Sequence, residues 1–205
     1  MKAGHLEILV EEPSMEAFLA EMLPRLLAGR ATYTIHAHQG KSDLLKKLGD
    51  RLRAYAKWLP ESSRIVVVID RDNSDCFALK EKMEQLAKEA NLLTRKTSAN
   101  GNWRVVNRLA IEELEAWFFG EWKAVCTSFP KVSSTIPAQA PYRNPDAVTG
   151  GTWEALERVL GNAGYFPGGL RKLELAVAIG KHFDPMSATS PSFLTFRDAL
   201  VESVS

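Results

Sequence analysis

Cysteine is scarce in this chain of 205 residues, which has only Cys76 and Cys126. The two lie far apart in the sequence and fit neither the spacing of a disulfide framework nor the ligand spacing of a zinc site. The pattern predicts two free thiols in a reducing compartment.

Long hydrophobic segments are also lacking. The longest apolar run covers residues 65–69, which suits a buried strand and is much too short to cross a bilayer. At the N-terminus, the apolar run 8–10 is followed at once by two glutamates, unlike the pattern of a signal peptide. We therefore expect a cytoplasmic protein with no membrane partner.

No excess of one charge is present, because 26 basic residues face 25 acidic ones for a net charge of +1. Such a balance gives no overall attraction to nucleic acid, so nucleic-acid binding would depend on a local patch. At 45% hydrophobic and 25% charged residues, the composition is that of an ordinary globular protein.

Strand and helix patterns alternate over the first part of the chain. Apolar and β-branched runs predict strands at 5–10, 32–37, 64–70 and 103–110. Apolar residues at helical spacing predict helices at 14–28, capped by Ser14, and at 42–59, capped by Ser42. Asp75 is expected to cap a third helix at 76–91, and a fourth is expected at 112–119. This order predicts an α/β fold with a mostly parallel central sheet flanked by helices.

The composition changes after Gly120. Residues 129–151 are rich in Pro, Ser, Thr and Gly and read as a long irregular connection. Three helical patterns follow, at 152–160, 170–182 and 191–201. We therefore expect an α/β domain at 1–120 and, packed on it, a C-terminal helical extension at 121–205.

Acidic residues follow two of the predicted strands. Glu11 and Glu12 come directly after the first strand, while Asp70 and Asp72 close the most apolar one. Ligands of parallel sheets sit beyond the carboxyl ends of the strands. In extended backbone Asp70 and Asp72 point to the same side, and carboxylates are ligands that suit Mg²⁺. The alternative is that these acids are solvated or cap helices.

The helix at 112–119 carries further acids. Glu112 and Glu115 are expected on the face opposite its buried stripe, with Glu113 to one side. Crowded carboxylates raise one another's pKa unless a cation neutralises them, which suits a metal site. The alternative is that Glu112 and Glu113 simply complement the helix dipole.

Basic residues lie near the same strand ends. Lys41 opens the second helix, where free N–H groups are suited to an anion, and is a candidate phosphate contact; a solvated helix start is the alternative. Arg71, between the two aspartates, is expected to pair with one of them or to reach a phosphate.

Two sets of motifs resemble known families. Glu11 with Pro13 and Ser14, together with Asp70-Arg71-Asp72 after an apolar strand, looks like the Toprim catalytic fold of topoisomerases, primases and OLD-type nucleases. A closer resemblance, over most of the chain, is to the Toprim-like family DUF4276. It rests on EEPSMEAFL, HQGKSDLLKKL, VIDRDNSDC, AIEELEAWFFG, YRNPDAV, GTWEALE and SPSFLTFRDAL.

The resemblance implies roles for individual residues. Glu11 corresponds to the Toprim glutamate, Asp70 and Asp72 to the metal-binding pair, and it favours Glu113 and Glu115 as further ligands. The chain departs from the Toprim nuclease pattern after Glu11: Glu12 holds the glycine position and Met15 the second acid position, with Glu16 one residue on as a replacement.

The resemblance implies a metal-dependent phosphodiesterase, a nuclease that uses Mg²⁺ or Mn²⁺ and in which Glu11 is also a candidate general base. OLD-type relatives join this domain to an ATPase, so an ATPase partner in a bacterial defence system is expected by analogy. One alternative is a non-catalytic metal-binding or interaction subunit. A further alternative is a nucleotide-handling enzyme, although the chain contains no glycine-rich phosphate loop.

Overall fold

A computed structural model describes residues 2–148 and 150–205 of the chain. The fold is α/β, as predicted. Its strands are β1 (His5–Val10), β2 (Thr32–Ala37), β3 (Ser63–Asp70) and β4 (Val105–Ala110). Its α-helices, within the described ranges, are α1 (Pro13–Leu27), α2 (Lys41–Trp58), α3 (Cys76–Glu89), α4 (Leu114–Gly120), α5 (Trp122–Ser128), α6 (Thr152–Asn162), α7 (Lys172–His182) and α8 (Pro191–Val204). None of these helices combines the length and apolar character needed to cross a membrane.

The four strands form one parallel sheet in the order β2-β1-β3-β4. This confirms the predicted parallel sheet. β3 lies in the interior and is buried along its whole length, as its continuous aliphatic run requires in a sheet covered on both faces. The pairing of Val10 with Val68 and of Asp70 with Ala110 brings the carboxyl ends of β1, β3 and β4 to one edge.

Side chains alternate between the two faces of the sheet and feed two apolar cores. On one face Leu9, Val67 and Ile69 pack with α2 and α3. On the other face Ile8 and Val68 belong to a core that also contains residues of α1 and of all the described helices from α4 onward. The C-terminal helices therefore share a core with α1, and the division of the chain at residue 120 stays a prediction.

The helix starts show which capping signals were correct. The Asp75 carboxylate accepts a hydrogen bond from the Ala78 N–H at 2.7 Å, which confirms this N-cap. The predicted caps Ser14 and Ser42 are wrong. Pro13 opens α1 after Glu12, so Ser14 lies inside the helix and donates to the Glu12 carboxylate at 2.6 Å. Gly40 precedes α2, and Ser42 is its second residue.

α7 packs closely against α1 at Gly180. A Cβ atom at this position would lie 2.9 Å from Cβ of Glu21 and 3.2 Å from the carbonyl oxygen of Phe18. Gly161, in α6, is exposed and has no neighbour within 4 Å of the same imagined atom.

We expect Gly180→Ala to lower the free energy of unfolding by about 1–3 kcal/mol, because the two helices must separate to fit the methyl group. The matched change Gly161→Ala should raise it by about 0.5–1 kcal/mol, because alanine loses less conformational freedom in a helix. Urea titration of both variants measures the difference. Equal midpoints would contradict the close α1–α7 contact.

Candidate functional site

Six carboxylates follow or close the strands at one end of the sheet. We call this group the carboxylate edge: it consists of Glu11, Glu12, Asp70, Asp72, Glu113 and Glu115. Glu11 and Glu12 leave β1, Asp70 ends β3, and the last two belong to the turn after β4 and to α4. The edge arises because parallel neighbours direct their carboxyl ends the same way.

Asp70 is the most unusual member of the carboxylate edge. It is only 6% exposed, and its Oδ1 atom has no hydrogen-bond partner in the described structure. Burial, followed by the negative charges of Glu115 and Glu11, raises the pKa of Asp70 well above its usual range. A buried carboxylate oxygen without a donor is costly unless a proton or a cation neutralises it.

Glu11 lies beside Asp70, as the sequence predicts. Its Oε2 atom accepts a hydrogen bond from the Asp70 N–H at 3.2 Å. Burial raises the pKa of Glu11, and the nearby charge of Lys41 opposes this shift only in part. Glu16, the candidate replacement for the second Toprim acid, lies in the first turn of α1. Its side chain makes no hydrogen bond or ion pair with any described residue.

Asp72 is placed differently from the expectation of extended backbone. Its φ angle is +46°, in the left-handed region, so the alternation of side chains stops after Asp70. The carboxylate of Asp72 turns instead to Lys41, whose Nζ lies 2.6 Å from Oδ2. Lys41 also donates to the Arg71 carbonyl at 3.1 Å and to Ser74 Oγ at 3.3 Å. Lys41 therefore lies beside the carboxylate edge, held there by its ion pair with Asp72.

Glu112 and Glu113 are engaged in structural contacts. The Arg71 guanidinium lies 3.2 Å from Glu112. Glu113 Oε2 accepts hydrogen bonds from the Trp153 N–H at 3.1 Å and from Thr152 Oγ1 at 3.2 Å. A carboxylate at this place satisfies free N–H groups at the start of α6 and complements its dipole.

Glu115 was expected on the face of α4 opposite the buried stripe, and that placement is wrong. Every residue of α4 is buried, and Glu115 is 2% exposed, because the C-terminal helices cover the side that sequence periodicity assigned to solvent. Burial raises the pKa of Glu115 to about 7, with Lys172 opposing the shift and Glu113 adding to it.

Lys172 is a functional candidate that the sequence reasoning missed. Its Nζ lies 3.4 Å from Glu12 Oε1 and 5.0 Å from the centre of the Trp153 ring. Burial acts to lower the pKa of Lys172, but the charges of Glu115, Glu12 and Glu113 outweigh it and raise the pKa. No local motif marks this lysine, because it reaches the edge only through the packing of α7 against α1.

A cleft of about 410 Å³ opens beside the carboxylate edge. It is lined by Asp72, Asn73, Glu112, Glu113, Gly151 and Glu154, among others. Within the described ranges no three His, Cys, Asp or Glu side chains are already arranged to hold a metal ion. The ion pair of Asp72 with Lys41 and the hydrogen bonds of Glu113 to α6 account for this, since both carboxylates point to other partners.

The fold and the edge together define an α/β protein with a crowded carboxylate site at the carboxyl ends of a parallel sheet. The chain belongs to the family described as a domain of unknown function, DUF4276, whose profile matches residues 10–201. The family predicted from the sequence motifs is thereby confirmed, and the matched range contains the whole carboxylate edge and Lys172. No curated protein and no solved structure matches the chain.

Proposed function

We propose that this protein is a metal-dependent phosphodiesterase, a nuclease of the Toprim-like type that uses Mg²⁺ or Mn²⁺. The observation that carries the proposal is the unpartnered Oδ1 atom of buried Asp70 among other carboxylates. Such a group has the charge and the hard oxygen donors that these cations select.

The residues at the edge fit a divalent cation unequally. Asp70 and Glu11 fit best, since burial raises the pKa of both and the Glu11 carboxylate is held at Asp70 by its main-chain N–H. Asp72 fits if its carboxylate exchanges Lys41 for the cation. Glu115 adds a buried carboxylate whose charge acts on Asp70. Glu113 fits least, because its oxygen already serves α6. When bound, the ion would activate water and stabilise a leaving oxygen.

The chain's own groups have complementary roles in this proposal. Glu11, with its raised pKa, is suited to accept a proton from the attacking nucleophile, since a base works best with a pKa near the working pH. Lys41 and Lys172 supply positive charge at this edge, and phosphate oxygens of a substrate are the anions they would attract.

A second candidate is a non-catalytic metal-binding or interaction subunit. It is favoured by the engagement of Asp72 with Lys41 and of Glu113 with α6, which leaves no ready-made metal site in the described part of the chain. The ATPase partner, the role in bacterial defence and the location in the cytoplasm belong to the first proposal and rest on the Toprim analogy and on composition.

The test incubates single- and double-stranded DNA and RNA with the purified protein and Mg²⁺ or Mn²⁺. We expect cleavage that Asp70→Ala reduces by at least about 100-fold, an effect typical of losing a group that acts in the transition state. Asp50→Ala is the matched control, because Asp50 is exposed and forms a surface ion pair with Arg53.

Two outcomes decide between the candidates. Cleavage that survives in Asp70→Ala would rule out this site as the catalytic centre. Metal binding without cleavage of any of these nucleic acids would favour the non-catalytic subunit.

A further inference from the structure

A second polar cleft lies at the outer side of β4, away from the carboxylate edge. It has a volume of about 260 Å³ and is lined by Lys80, Arg95, Lys96, Arg108, Glu84 and Asn107, together with Val106. Arg108 pairs with Val68 of β3, so the cleft is level with the middle of the strand. We call it the basic cleft.

The two most buried cations of the basic cleft, Lys80 and Arg108, donate hydrogen bonds to uncharged main-chain carbonyl oxygens. Lys80 Nζ and Arg108 Nη1 both donate to the main-chain carbonyl of Asn107. Arg108 Nε donates to the Thr195 carbonyl at 3.1 Å. Arg108 is only 9% exposed, yet its Nη2 atom has no hydrogen-bond partner in the described ranges. Buried N–H groups nearly always have a hydrogen-bond acceptor, so this nitrogen is available to an acceptor from outside the chain.

The carboxylates around the basic cleft already bind residues other than Lys80 and Arg108. Arg95 pairs with Glu202 at 2.7 Å and Lys96 with Glu81 at 3.4 Å. Glu84 faces the cleft, but its two oxygens accept hydrogen bonds from Thr94 Oγ1 and Asn107 Nδ2. Among the described residues, Lys80 and Arg108 therefore have no carboxylate within hydrogen-bond distance.

The pKa values of both cations are lowered by burial beside other positive charges, and the nearby carboxylates Glu84, Glu202 and Asp198 offset this effect only in part. Burial, and then the charge of Arg108, lowers the pKa of Lys80 to about 8. Burial, and then Arg95, lowers the pKa of Arg108 to about 10. An anion placed between them would offset both effects.

We propose that the basic cleft is a binding site for a phosphate group, held by Arg108 and Lys80 and framed by Arg95 and Lys96. A guanidinium offers N–H donors in a planar fork that matches phosphate oxygens, and an ammonium adds a point charge. The volume of about 260 Å³ is ample for one phosphate group. This site does not depend on metal binding at the carboxylate edge.

A simpler role for these cations is to protect β4, which is an edge strand, from pairing with another chain. That role explains Lys80 on the Asn107 carbonyl. It does not explain the buried Arg108 nitrogen without an acceptor, because an edge needs charge at its surface only.

The test titrates inorganic phosphate into the full-length protein by calorimetry, with chloride at equal ionic strength as the reference. We expect saturable binding that weakens at least about 10-fold in Lys80→Met and in Arg108→Gln, as the loss of a charge-assisted hydrogen bond implies. Lys82→Met, on the exposed side of the same helix, should bind like the wild type. Dimethyl phosphate in a parallel titration distinguishes a backbone diester from a terminal phosphate group.

Lys80 is half-buried, so Lys80→Met keeps the test valid if Arg108→Gln does not fold, as judged by circular dichroism. Unchanged phosphate binding in a folded Lys80→Met, or no saturable binding to the wild type, would overturn the proposal. Self-association of Lys80→Met with no phosphate binding to the wild type would assign the cations to edge protection instead.

Discussion

Replacing Asp70 with asparagine should make the metal-free protein more stable and at the same time remove its response to Mg²⁺. Asp70 is buried, and no described residue donates a hydrogen bond to its Oδ1 atom. Its charged form therefore opposes folding when no cation is present. Asparagine keeps the shape without the charge. We expect the free energy of unfolding in EDTA, at a pH where Asp70 would be charged in the unfolded state, to rise by about 1–3 kcal/mol, because the neutral amide avoids the cost of a buried charge among other carboxylates.

Adding Mg²⁺ should stabilise the wild type much more than Asp70→Asn. A ligand at 100 times its Kd stabilises the folded state by about 2.7 kcal/mol, and Asp70→Asn should gain almost none of this. Urea unfolding with and without Mg²⁺ measures both effects. Asp50→Asn is the control, because an exposed ion pair such as Asp50–Arg53 contributes little. A destabilised Asp70→Asn that still responds to Mg²⁺ would refute the assignment.

The metal-free protein should also lose stability as the pH rises from 4.5 to about 7. The pKa of Glu115 is raised from 4.5 to about 7, so the folded state binds more protons than the unfolded state between these values. Stability is then fully present below pH 4.5 and falls until the pH passes about 7. The loss from Glu115 alone is on the order of 3 kcal/mol, and the raised pKa of Asp70 acts in the same direction.

The raised pKa values of Glu11 and Glu121 add to this loss. Burial acts to raise the pKa of Glu7, but hydrogen bonds from His36 and Tyr55 outweigh it and lower the pKa, so the contribution of Glu7 is lost only on the acid side. The raised pKa of Lys172 matters above pH 10.5. Urea unfolding in EDTA from about pH 5 to about pH 8 should show a slope that Glu115→Gln reduces and exposed Glu81→Gln leaves unchanged. Equal slopes in all three proteins would contradict the prediction.

The sequence was most informative where one local feature decides the structure. The aliphatic run of β3 and the period of its neighbours predicted all four strands, because a parallel strand covered on both faces must be apolar throughout. Asp75 was predicted as a cap because its side chain needs only the residues after it. α5 was missed, since it follows α4 directly and Glu121, an unusual capping residue, accepts from the Ala124 N–H.

The candidate site divides along the same line. Glu11 and Asp70 were found because strand ends of a parallel sheet can be located from the sequence. Three features could not be predicted from the sequence: the burial of Glu115, the hydrogen bonds of Glu113 to the start of α6, and the position of Lys172 beside Glu12. Each depends on how the C-terminal helices pack on the sheet. The predicted orientation of Asp72 was wrong because β3 ends at Asp70, and the backbone at Asp72 is in the left-handed region and not extended.

Binding of a divalent cation at the carboxylate edge can be measured by calorimetric titration of Mn²⁺ into the metal-free protein near neutral pH, in two buffers of different ionisation enthalpy. We expect saturable binding with release of protons, because the pKa values of Asp70, Glu11 and Glu115 are raised in the metal-free state and ligands must be deprotonated. We also expect binding at least about 100-fold weaker in Asp70→Asn. Absence of Mn²⁺ binding, or equal affinity in the wild type and Asp70→Asn, would contradict a metal site at the carboxylate edge.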